Sequence, residues 1–146
     1  MKSIFTQIID REIPGYIVAE TADCIAFLDI HPLAIGHTLV VPKQAVAYVF
    51  DLHDTVFSEL MIFSKKVALG IQKVVPCLRI GMAVVGLEVP HAHIHLIPLH
   101  GLYDIDFKKP RLQQSPLALR NIADQLQAAI AVYFPSDPNS ASNKKY

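Results

Sequence analysis

From His91 to Pro98 the chain alternates strictly, with imidazoles at His91, His93 and His95 and the apolar residues Ala92, Ile94 and Leu96 between them. In an extended strand, residues two apart share a face and stand about 6.6 Å from one another. The pattern therefore predicts a strand with a row of imidazoles on one side and an apolar side packed against helices. Each buried ring brings a donor and an acceptor that must be satisfied. One such histidine would read as an ordinary core residue, but three in register call for a chemical reason. Neutral ring nitrogens can hold a transition metal. Alternatively, one imidazole attacks phosphorus while its neighbours stabilise the phosphate oxygens. The sequence offers no Glu-x-x-His on a helix and no Cys pair to complete a familiar metal shell, so phosphate chemistry is the stronger reading.

The rest of the chain supplies helices for that strand to pack on. Ile4, Phe5, Ile8 and Ile9 mark one face of a short N-terminal helix ended by Pro14-Gly15. Tyr16 to Glu20 and Cys24 to Leu28 predict two strands joined by a tight turn, and His37 to Val41 predicts a third that stops at Pro42. Apolar residues from Val56 to Val74 recur at helical spacing, with Asp54 as the expected cap and Pro76 closing the helix. Arg79 to Leu87 is β-rich but barely alternates, which predicts a strand buried on both faces or against a second subunit. Ser115-Pro116 starts a C-terminal helix carrying Leu119, Ile122, Ala123, Leu126 and Ile130. The order predicts an α+β fold: a largely antiparallel sheet with a short N-terminal helix, a long central helix and a C-terminal helix.

Composition narrows the function classes. The 146 residues suit one domain spanning 1–134, followed by a polar segment, 135–146, expected to be a disordered tail. Thirteen Lys and Arg balance thirteen Asp and Glu, which excludes an extended nucleic-acid surface. No apolar run approaches the roughly 20 residues of a membrane span, and no signal peptide is evident, so a cytoplasmic protein without a membrane partner is expected. Cys24 and Cys77 stand outside any Cys-x-x-Cys frame and read as small buried hydrophobes in a reducing compartment. Apolar residues reach 52% while charged ones are only 18%, so a homodimer covering part of the apolar surface is expected.

The three-histidine segment, with apolar residues between and after the histidines, resembles the signature of the histidine-triad (HIT) family of nucleotide hydrolases and transferases. Two further blocks are similar to family motifs in the expected order: Ile4-Phe5-x-x-Ile8-Ile9-x-x-Glu12-Ile13-Pro14, and Phe27-x-Asp29-x-x-Pro32-x-x-x-Gly36-His37-x-Leu39-Val40-x-Pro42-Lys43. The nearest branch is the Hint-like one, small homodimeric enzymes of purine nucleotides. The resemblance implies a HIT-like fold and an attack on the α-phosphorus of a purine nucleotide conjugate. The conjugate would be a phosphoramidate, an adenylate or a dinucleoside polyphosphate, with no cofactor required. His93 matches the nucleophile that becomes covalently nucleotidylated, His91 the residue that orients it, and His95 a contact to the α-phosphate oxygens. His37 matches a histidine lining the same pocket, and Asp29 the acceptor of both ribose hydroxyls. Phe5, Ile8, Phe27 and Ile30 neighbour these motifs as candidate walls for the base.

The chain also departs from the family pattern. Many relatives carry zinc on a Cys-x-x-Cys pair, a histidine after the Pro-Lys pair, and the first triad histidine. Here Ser3, Thr6 and Ala45 stand at the first three positions, so no metal is expected. Glu88 occupies a position where relatives often have a hydroxyl that contacts phosphate or assists the leaving group, and the loop before the triad is short. A carboxylate there repels phosphate unless it pairs with a histidine or a cationic leaving group. These two features also admit a catalytically slow nucleotide-binding or regulatory module as the alternative function.

Overall fold

Ser3 starts the first helix: its Oγ accepts the Thr6 backbone N–H and caps α1 (Ile4–Ile9). In this computed structural model, which describes residues 2–135, three strands follow: β1 (Ile17–Glu20), β2 (Cys24–Leu28) and β3 (Thr38–Pro42). A single 3-10 turn, Val49–Asp51, leads into the long helix α2 (Asp54–Val74). The chain then forms β4 (Arg79–Ala83), β5 (Ile94–Leu99) and α3 (Pro116–Ala131). The Ser115 side chain caps α3 by accepting the Ala118 N–H at 3.1 Å. The expected polar tail falls almost entirely on 136–146, outside the described residues.

The strands form one sheet in the order β1-β2-β3-β5-β4, antiparallel at every pairing. This is the α+β architecture that the sequence predicts. The sheet separates two apolar layers. On one side Ala26, Leu28, Val40, Ile94 and Leu96 pack under α2 and α3. Those helices approach closely at Gly70, where a Cβ would lie 2.8 Å from the Ile130 Cα; a side chain there would push the helices apart. On the other side α1 lays Phe5 and Ile8 over Ile25, Phe27, Leu39 and Val41.

Three local expectations are corrected. Asp54 is the first residue of α2 rather than its cap; His53 holds the cap position without a side-chain bond, and Asp54 places a carboxylate in the first turn, where it favours the helix dipole. The stretch Arg79–Leu87 pairs only as far as Ala83, and β4 is an edge strand, half exposed within the chain rather than buried on both faces. Beyond Ala83 the chain leaves the sheet and turns through Gly86 at φ 75°, a left-handed conformation that suits glycine. Finally, β5 begins at Ile94, so His91 and His93 precede the strand. The Ala92 N–H bonds the Val46 carbonyl at 2.7 Å instead of joining the β3 ladder, whose last pair is Val40 with Ile94. The alternation of sides nevertheless persists, since Ala92, Ile94 and Leu96 all join the helix-side core.

Candidate active site

The histidines lie on the α1 side of the sheet, and their backbone partners fix their protons. A backbone N–H only donates and a carbonyl only accepts, so each contact assigns a tautomer. Gly36, at φ 90°, brings the chain into β3 through a tight bend that puts His37 against the loop before it. Leu33 N–H donates to His37 Nδ1 at 3.0 Å, which leaves the His37 proton on Nε2. That Nε2–H donates to His95 Nδ1 at 3.0 Å, so the His95 proton sits on Nε2. In the preceding segment, His93 Nδ1–H donates to the His91 carbonyl at 2.8 Å. In the neutral ring this leaves the lone pair of His93 on Nε2. His91 Nε2–H donates to the Pro42 carbonyl at 2.7 Å, and its Nδ1 stands 3.3 Å from each of the hydroxyls of Ser3 and Thr6.

Neither His93 Nε2 nor His95 Nε2 has a hydrogen-bond partner among the described residues, and no described side-chain polar atom is both buried and unpartnered. Both nitrogens therefore reach open space. One is a lone pair, the other an N–H donor, and their rings lie 4.9 Å apart. Burial drives the His37 pKa down to about 3 and that of His95 to about 4, with neighbouring histidine and Arg111 charges adding to the shift. Burial also lowers His91. All three are neutral near pH 7.

The open space is a cavity of about 420 Å³ between α1 and the sheet. Phe5, Ile8, Phe27 and Ile30 wall it, and Asp29, Glu88, His93 and His95 supply its polar groups. Eight of the ten residues picked out in the sequence are thus brought together. Two are not. His91 and His37 are fully buried behind the surface residues and line no part of this cavity. His91 is turned toward Pro42 and α1, so of the expected row of three imidazoles two line the cavity and one lies beneath it. His37 acts on His95 from behind rather than lining the pocket.

Asp29 is held at the cavity mouth by the His31 N–H, which donates to Oδ1 at 2.9 Å. Its Oδ2 lies 3.8 Å from both Arg111 Nη1 and His37 Nε2. Burial raises the Asp29 pKa, opposed by the His31 N–H and by Arg111. Sequence reasoning missed Arg111 and Phe107, which lie in the loop between β5 and α3. Arg111 donates to the His31 carbonyl at 3.1 Å, Leu112 N–H to the Pro32 carbonyl at 2.8 Å, and Phe107 meets the His95 ring edge-on at 4.8 Å. The loop carries no periodicity or motif. Its one signal is an aromatic and three cations, Phe107-Lys108-Lys109-Pro110-Arg111, placed soon after the triad.

Metal-binding options are answered by the donors themselves. At the relatives' zinc position, Ser3 and Thr6 offer hydroxyls already within reach of His91, and Ala45 offers nothing; this set does not fit zinc. Asp29, His37 and His95 place one donor atom each within 4.8 Å of one another. However, the Leu33 N–H keeps the His37 proton on Nε2, so the nitrogen facing that group is a hydrogen-bond donor and not a ligand.

A model of the HIT domain matches residues 10–102, and the chain belongs to the HIT family. It is 32% identical over 133 residues to an adenosine 5'-monophosphoramidase of Schizosaccharomyces pombe, covering 89% of this chain and 99% of that protein. It is 38% identical over 96 residues to an adenosine 5'-monophosphoramidase of Saccharomyces cerevisiae, covering 65% of this chain and 61% of that one. Among solved structures, a histidine-triad nucleotide-binding protein from Sulfolobus tokodaii superposes with a TM-score of 0.75 at 28% identity, covering 97% of this chain and 98% of that one. A Hit-like protein from Bartonella henselae gives the same TM-score and identity over 88% of this chain and 96% of that one.

Proposed function

We propose that this protein is a nucleotide hydrolase that cleaves the bond between the α-phosphorus of a purine nucleotide and its leaving group, through a nucleotidylated His93. The observation that carries this reading is the proton arrangement. His93 is anchored through Nδ1–H with its Nε2 lone pair free, beside a His95 Nε2–H aimed into the same cavity. A neutral imidazole nucleophile next to a neutral imidazole donor suits a phosphorus shielded by anionic oxygens. His93 Nε2 forms the new P–N bond as the leaving group departs, and His95 Nε2–H stabilises the charge building on a phosphate oxygen. Water then attacks the same phosphorus, releasing the nucleoside monophosphate and restoring His93. The apolar cavity would hold the base, and Asp29, ionised and held by the His31 N–H, would accept the ribose hydroxyls. The monophosphoramidase relatives point to the same bond type.

The test is turnover of a fluorogenic purine nucleoside phosphoramidate, followed by acid quench during the reaction. Amine release, with a nucleotide mass adduct on the peptide containing His93, is expected. Tight binding without release would favour the slow-module alternative instead.

We also propose a homodimer joined through β4. The outer edge of that strand has no partner among the described residues, and Met82 on it and Val84, Val85 and Leu87 beyond it are exposed. An unpaired apolar edge left open would aggregate. Light scattering across micromolar concentrations should give twice the chain mass, and a monomer throughout would refute it. Among the described residues no helix is long and apolar enough to cross a membrane.

A further inference from the structure

At the mouth of the large cavity the two oxygens of Asp29 are used differently. Oδ1 accepts the His31 N–H at 2.9 Å. Oδ2 lies 3.8 Å from both Arg111 Nη1 and His37 Nε2, beyond hydrogen-bond distance. The His37 Nε2–H is spent on His95 Nδ1, so Oδ2 keeps its capacity to accept.

A guanidinium beside a carboxylate ordinarily closes onto it through two parallel hydrogen bonds. Here Arg111 is drawn off. Its Nη1 donates to the His31 carbonyl at 3.1 Å, and its guanidinium lies over the Phe107 ring, 5.5 Å from the centroid. The Leu112 N–H, next in the chain, donates to the Pro32 carbonyl at 2.8 Å and fixes this loop against the segment that carries Asp29. The Arg111 and Asp29 side chains are 25% and 19% exposed, so solvent screens the charge between them only weakly.

We infer that Arg111 is the positioning residue of the ribose site: it holds a cation beside the Asp29 carboxylate while leaving Oδ2 free to accept a substrate hydroxyl. This rests on the proposed binding of the ribose by Asp29. The groups that face Asp29 are His31, His37, His95, Glu88 and Arg111, and of these only Arg111 is permanently cationic. His37 and His95 are neutral near pH 7 because they are buried. Burial and the Glu88 charge both favour the protonated form of Asp29. Without Arg111 the carboxylate would meet Glu88 and an incoming phosphate with only His31 in its favour, and it would take up a proton more readily. A protonated carboxyl loses the charge-assisted hydrogen bond to a ribose hydroxyl. A closed Arg–Asp pair would keep the charge but occupy the accepting oxygen. The stand-off contact avoids both losses.

The experiment measures kcat and KM for an adenosine 5'-phosphoramidate and its 2',3'-dideoxy counterpart, in full-length wild type, Arg111→Met and Arg111→Lys, from about pH 5 to about pH 8. The dideoxy substrate lacks both hydroxyls, so the ratio of the two kcat/KM values isolates the ribose contacts. Any pH effect on the reacting histidines is common to both substrates and cancels in that ratio. Arg111→Met keeps an unbranched stem and loses the charge. Its ratio should fall by about 10-fold or more near pH 7, through KM rather than kcat. The decline of the ratio toward acid should also begin at higher pH than in wild type. Arg111→Lys restores the charge and should return the acid limb toward wild type. Its ratio should stay low, because a flexible ammonium without the Phe107 stack closes onto Oδ2; this variant carries the test if Arg111→Met does not fold. Equal losses on both substrates, or an unchanged ratio and acid limb, would overturn the inference while leaving His93 and Asp29 in their roles. A wild-type ratio near one would overturn the ribose assignment of Asp29, and a wild type that turns over neither substrate would overturn the proposed hydrolase; the inference falls with either.

Discussion

His93→Ala is expected to lower kcat on a purine nucleoside phosphoramidate by about 10⁴-fold or more, the scale on which removing a nucleophile acts, while AMP binds with little change. Binding survives because the proposed base walls and Asp29 belong to α1, β2 and the loop after it, where Phe5, which meets the His93 ring edge-on at 4.9 Å, is also held by Phe27. His95→Ala removes one donor to the phosphate oxygens and should cost about 10²- to 10³-fold. His37→Ala touches no substrate, but it frees His95 Nδ1 to take the proton that now sits on Nε2. Its loss should appear in kcat more than in KM. The expected order of damage is therefore His93, then His95, then His37. Steady-state kinetics with a trapped-adduct assay checks it; turnover near wild type in His93→Ala, or an adduct that persists there, removes the nucleophile assignment.

That order was only partly readable from the chain. The alternation of His91 to Leu96 placed Ala92, Ile94 and Leu96 correctly in the helix-side core, because side alternation is a property of extended backbone whether or not it is paired in a ladder. The same pattern could not show that pairing begins only at Ile94, nor that the His91 ring turns away to the Pro42 carbonyl. Those facts depend on partners 49 residues away in sequence. Asp29 and the apolar cavity walls Phe5, Ile8, Phe27 and Ile30 were legible because each sits in or beside a motif. Phe107 and Arg111 were not, since they are placed by two contacts across space to His31 and Pro32 rather than by any local spacing. His37 was picked out as a pocket residue, yet its burial and its bond to Leu33 make it a support for His95. The apolar run after Arg79 left two readings open for another reason: an edge strand and a strand buried between two neighbours can share the same composition.

Acid should destabilise this protein progressively below about pH 6.5, and the cause is the same buried histidines. Burial lowers the folded-state pKa of His37 to about 3 and that of His95 to about 4, from 6.5, and lowers His91 as well. The unfolded chain binds these protons as pH drops below about 6.5, while the folded chain refuses them until pH 4 or lower. Between those limits the unfolded state holds more protons, so stability is fully present above pH 6.5 and falls as pH decreases. Each excluded proton costs about 1.4 kcal/mol per pH unit. His37 and His95 together therefore remove at most about 5 kcal/mol by pH 4.5, a large share of the 5–15 kcal/mol typical of a domain. Asp29, whose pKa burial raises, acts in the opposite sense and offsets part of the loss. Urea unfolding at pH 7.5, 6.5, 5.5 and 4.5 should give a flat free energy across the first two points and a steep fall across the last two. His95→Asn, which retains a polar side chain without a titrating ring, should flatten the slope by about one proton. A stability that stays level from pH 7 to pH 5 would mean that these rings accept protons in the folded state, and the neutral His37–His95 pair on which the His95 role depends would fall with it.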